Sequence, residues 1–112
     1  MAYRSKSERE SDQIKDLAYN AGYAEGAGRL RRAQWLWDRV LERIIQEHDR
    51  MRRENYVSSI REDRVSHLRA GAEAARRYGR LIGEEQEGTP ERRASEREFR
   101  ARLRESSRRF RD

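Results

Sequence analysis

The sequence predicts an all-α protein: a long antiparallel helical hairpin, coiled-coil-like in its packing, followed by a C-terminal Arg-rich helix. Three observations carry this. No stretch alternates apolar and polar residues with period two, and the 112 residues contain only one proline and seven glycines to interrupt a helix. Charged residues make up 43% of the chain and hydrophobic ones 34%, too few for a thick globular core but enough for helices that each bury one narrow stripe. Finally, apolar residues recur at spacings of three and four through most of the chain.

The first predicted helix runs from about residue 9 to 54 and opens with the capping box Ser7-Glu8-Arg9-Glu10. It carries two stripes. One holds Tyr19, Tyr23, Gly26, Leu30, Ala33, Trp37, Val40, Ile44 and Met51, with Leu41 and His48 beside it. The other holds Ile14, Leu17, Ala21, Ala24, Gly28 and Trp35. At 100° per residue the two lie on opposite faces, so one partner helix covers only one of them. The helix therefore bends or breaks at Gly26–Gly28, or it is sandwiched between two partners. Within the helix, Ala18, Gly22 and Gly26 form a ladder of small residues that permits close backbone approach.

The second predicted helix, about 59 to 87, starts at the box Ser59-Ile60-Arg61-Glu62 and ends at Gly88. Its stripe is Val65, Leu68, Ala72, Ala75, Gly79 and Ile82, with small side chains in the middle. A turn near Asn55–Ser58 folds it back on the first, setting Trp37 opposite Ala75 and Leu30 opposite Ile82 or Gly83. Large residues facing small ones fill space between helices without voids. Residues 1–88 are thus read as the hairpin domain and 89–112 as a basic helix or arm.

The arm begins with Thr89-Pro90-Glu91, an N-cap, an N1 proline and an early acid in order, and is helical from about 90 to 110. Its nine arginines face five acids, so it holds +4 of the net charge of +6. Phe99, Leu103 and Phe110 make a thin apolar stripe. Ion pairs at i, i+4 (Glu96–Arg100, Glu98–Arg102, Glu105–Arg109) are expected to hold it helical. The acidic end of the second helix, Glu84, Glu85 and Glu87, is placed to pair with it.

Several function classes find no support. Without cysteine there is no disulfide, thiolate metal site or thiol nucleophile. No phosphate-cradling glycine loop, nucleophile elbow or zinc-binding helix occurs, and no catalytic, cofactor or metal residue is assigned. Asp63 and His67 share a helix face, an arrangement read as a salt bridge in preference to a metal site. His48 is read as a half-buried packing residue. The longest charge-free run, Leu17 to Ala24, is far below the ~20 residues of a membrane span. The expected setting is cytoplasmic, or inside a host cell or virion, and not secreted.

The expectation is a non-enzymatic interaction or assembly protein, such as an accessory or structural subunit of a phage or mobile element. It partners itself as a homo-oligomer or joins a larger protein assembly, with no membrane and no small-molecule substrate. The expected contact residues are Ile14, Leu17, Trp35, Phe99, Leu103 and Phe110. The alternative is nucleic-acid binding, with Arg92, Arg93, Arg97, Arg100, Arg104, Arg108 and Arg109 on phosphates. A second alternative is an inhibitor docking on a host enzyme through the arm and Trp35.

Overall fold

A computed structural model describes residues 5–88 and 90–111 of this chain, with side chains given through Arg109. Among them are four helices and no strand: α1 (Lys6–Gly26), α2 (Leu30–Arg53), α3 (Ser58–Glu87) and α4 (Pro90–Arg111). The protein is all-α, and α2 and α3 form the antiparallel hairpin. The first predicted helix is two helices: of the alternatives the sequence left open, the chain breaks at Gly26–Gly28.

The break has a well-defined local chemistry. Gly28 takes φ +80°, where a side chain is strained, and lets the last carbonyls of α1 turn back onto the next amides. Gly28 N donates to the Glu25 carbonyl at 3.0 Å and Arg29 N to the Ala24 carbonyl at 2.8 Å, the paired bonds of a Schellman stop. The same motif ends α2, with Asn55 at φ 63°, Tyr56 N on the Met51 carbonyl at 3.0 Å and Asn55 N on the Arg52 carbonyl at 3.1 Å. Asparagine is the residue that best tolerates this conformation after glycine.

Helix starts differ in detail from expectation. Ser5, not Ser7, caps α1, its Oγ accepting from Glu8 N at 3.2 Å. Helix α3 starts one residue before Ser59, with Val57 in the N-cap position and no side-chain cap; Ser58 Oγ donates to Glu62 at 3.3 Å instead. The expected cap Thr89 lies outside the described residues.

Two short turns force α2 antiparallel to α1 and α3 antiparallel to α2, so α1 and α3 run parallel. Helix α1 lies on both others and packs mainly against α3. Ile14, Ala18, Val40, Ile44, Leu68 and Ala72, two from each helix, form one buried cluster, with Leu17, Trp37, Val65 and Ala75 packed on it. Ala21, Ala24, Ala33 and Leu36 form a second between α1 and α2.

The α1–α3 contact is unusually close because it is made of glycines. A methyl added at Gly22 or Gly26 would overlap the backbone carbonyl of Arg76 or Arg80, and one at Gly79 or Gly83 would overlap that of Tyr19 or Tyr23. Each helix thus offers two glycines, four residues apart, to two carbonyls of the other. Backbones this close permit Cα–H···O contacts and extensive dispersion, which add to the small apolar burial.

This arrangement corrects two expectations. Ile14 and Leu17, expected at a partner interface, are covered by α2 and α3 of the same chain. Leu30 does not meet Ile82 or Gly83; α1 occupies that space through Tyr23, and Leu30 is 67% exposed. The Trp37 expectation stands: its side chain packs on the cluster that Ala75 also borders.

Candidate interaction surfaces

The molecule measures 79 × 32 × 16 Å. At 1.5 Å per residue α3 is about 45 Å long and α4 about 33 Å, so their combined length accounts for the long dimension. Helix α4 therefore projects beyond the bundle instead of folding back on it. Its described side chains are exposed from Pro90 to Arg109, except Arg93, which is half-buried. Arg93 is the anchor: its Nη2 donates to the Ala27 carbonyl in the α1–α2 turn. Gly28 leaves room there, since a methyl on it would press on Pro90 and Arg93.

Of the expected contact residues, Phe99 (61% exposed) and Leu103 (53%) stand free on α4. Phe110 lies outside the described side chains. Trp35 is 56% exposed on the back of α2, with the Arg39 guanidinium 5.4 Å from its ring centre. Ile14 is fully buried and Leu17 partly so, hence neither is presented to a partner.

The arginines of α4 separate into two sets. Arg102 pairs with Glu98 at 3.0 Å and Arg109 with Glu105 at 3.5 Å, as the spacing predicts. Glu96, however, turns back to Arg92 at 3.5 Å and leaves Arg100 without an acid. Arg97, Arg100, Arg104 and Arg108 have no ion pair among the described residues; Arg97 Nε only reaches the Arg93 carbonyl at 3.5 Å. At the acidic end of α3, Glu87 is engaged within the bundle. Glu87 accepts from Tyr23 Oη at 3.2 Å and lies 3.8 Å from Arg29.

On the bundle, Arg76 is held between Glu25, 3.0 Å from its Nε, and the Trp37 ring, 4.5 Å below its guanidinium carbon. With Arg69, Glu73, Arg77 and Arg80 these line a wide, open basin between α2 and α3. On the opposite seam, Tyr19 stacks obliquely on Tyr23 (6.4 Å) and Tyr78 (5.9 Å), and Gln86 Oε1, also 3.2 Å from Tyr23 Oη, is an alternative acceptor for its one proton. Burial and the proton shared with Glu87 push the Tyr23 phenol above its ordinary pKa.

One charged group sits in the interior without having drawn notice in the sequence. Glu47, 5% exposed, accepts from Arg50 at 2.6 and 3.1 Å and lies 3.9 Å from Arg64 of α3. The Arg50 hydrogen bond holds its carboxyl below the usual range against the opposing effect of burial, and Glu47 in turn raises Arg50. Its position on the line Val40–Ile44–Glu47–Met51 was the available signal.

The histidines form no cluster. His48 is partly buried with Nδ1 3.7 Å from Asp49, and the expected Asp63–His67 salt bridge is absent, both side chains being exposed. No group of three His, Cys, Asp or Glu side chains converges among the described residues. No described helix is long and apolar enough to cross a membrane.

Fold and surfaces together define an elongated all-α protein with a projecting cationic arm. No protein-family model matches the chain, and no curated protein or solved structure matches it either.

Proposed function

We propose that this is a non-enzymatic interaction protein in which the α1–α3 bundle is the body and α4 the recognition arm. The observation that supports this is the exposure of α4 along its described length while the bundle core is complete without it. A 22-residue helix with Phe99 and Leu103 in water adds little to the stability of its own chain. Its value lies in what it meets outside. The body sets the arm's direction through Arg93 on the α1–α2 turn.

The test is a truncation after Gly88. The shortened chain is expected to unfold at the same temperature and with the same cooperativity as the full chain. A clear drop in midpoint would make α4 a structural element of the bundle and end this reading.

A further inference from the structure

The geometry points to the phosphate backbone of duplex DNA as the ligand of α4, bound by a stripe formed by Arg97, Arg100, Arg104 and Arg108. This inference rests on the recognition-arm reading and names its partner.

The spacing of these four residues places them within an arc of about 80° on the helix, along about 16 Å of its length. No acid of α4 falls in that arc. Glu91, Glu98 and Glu105 lie about 100–140° from its middle, and Glu96, outside its edge, is turned to Arg92. Acids therefore weaken the field less at this stripe than over the arm as a whole. All four guanidinium groups are exposed and lack an ion pair among the described residues.

Length and charge fit a phosphate surface: duplex DNA carries one negative charge per about 1.7 Å of axis with both strands counted, so a stripe about 16 Å long faces several phosphates of the strands that border a groove. A helix about 10–12 Å across also enters the major groove of B-form DNA, about 12 Å wide, whereas the corresponding groove of duplex RNA is too narrow. Helix α4 contains no Asn or Gln to read adenine; its arginines can pair with guanine as well as with phosphate, and a duplex of mixed sequence presents both.

A protein partner fits the same helix less well. Protein interfaces place an apolar centre inside a charged rim. On α4 the apolar residues Phe99 and Leu103 lie 100° or more from the middle of the arginine stripe. A partner centred on them takes Arg100 at its rim and leaves Arg97, Arg104 and Arg108 in solvent. The base of the arm adds cations, since Arg31 and Arg32 are exposed in the first turn of α2, which holds no acid. That turn follows Ala27, on which Arg93 is anchored.

The test uses the full-length protein and a fluorescent 20-base-pair duplex of mixed sequence, read by anisotropy from 50 to 200 mM salt. Four phosphate contacts predict a slope of log affinity on log salt of about −3.6, a loss of about a hundredfold over that range. Replacing Arg97, Arg100, Arg104 and Arg108 by Gln should abolish binding or bring the slope near zero. The same number of charges removed off the stripe, by Gln at Arg39, Arg52, Arg53 and Arg102, should leave the slope unchanged. Equal losses in the two variants would show general attraction to net charge and overturn the stripe, as would no binding at 50 mM salt by a protein that is fully helical. A duplex RNA of the same sequence bound as well as the DNA would overturn the choice of duplex. If the truncation leaves the bundle intact and DNA does not bind, the arm reading survives and the DNA inference alone falls. Salt-sensitive binding of poly-glutamate in place of DNA would then assign the stripe to acidic protein.

Discussion

Gly22 of α1 lies against the backbone carbonyl of Arg76 on α3, and Gly79 of α3 lies in the same way against the carbonyl of Tyr19 on α1. Gly26 and Gly83 repeat the exchange one turn further on, with Arg80 and Tyr23. The two parallel helices thus meet with approximate two-fold symmetry at a point where no side chain intervenes.

Gly22→Ala is expected to destabilise the bundle. In a helix, alanine gains about 0.8–1.0 kcal/mol over glycine. Here overpacking against a carbonyl that cannot move aside costs about 1–3 kcal/mol or more, so the loss should win. Gly71→Ala is the matched contrast: its nearest neighbour is the flexible end of Lys15, 3.0 Å away, and the helix gain should prevail. Denaturant unfolding of both variants checks the opposite signs.

Trp37→Ala should cost about 2–3 kcal/mol, below the full range for a buried tryptophan because the ring is only partly buried. Part of the loss is the Arg76 guanidinium above the ring. A double-mutant cycle with Arg76→Gln separates that contact from core packing: a coupling near zero would place the whole effect in the core.

Glu47 gives the bundle an acid-sensitive element. Because its carboxyl is held below the ordinary range when folded, its stabilising effect is present at pH values above the unfolded pKa. It is lost as the pH falls through the folded one. Wild type should therefore lose stability on acidification more steeply than Glu47→Gln, which is destabilised by about 1–3 kcal/mol at neutral pH. Parallel stability curves for the two proteins would show that Glu47 does not couple to folding.

The isolated peptide 89–112 should be only partly helical in water. Its three i, i+4 pairs contribute about 0.2–0.5 kcal/mol each and weaken as salt screens them. Circular dichroism should show helicity falling between low and high salt.

Much of this protein was legible in its sequence because helix formation is local. Spacing at three and four placed the buried lines, Gly88 and the turn near Asn55 placed two helix ends, and the Glu98–Arg102 and Glu105–Arg109 pairs followed from one turn of helix. The α2–α3 pairing at Trp37 was legible too, since bulky and small residues alternate across it. Sequence order did not decide whether Gly26–Gly28 bends a helix or ends it, since glycine accepts both conformations. Tertiary packing decided it. Ending α1 lets Gly22 and Gly26 reach Gly79 and Gly83, and lets Ile14 and Ala21 be buried by the same chain. The arginine stripe divides along the same line. Its periodicity is written in residues 97 to 108. That Glu96 turns to Arg92, that Glu87 is held by Tyr23, and that α4 stands clear of the bundle depend on distances between helices, which no local pattern encodes.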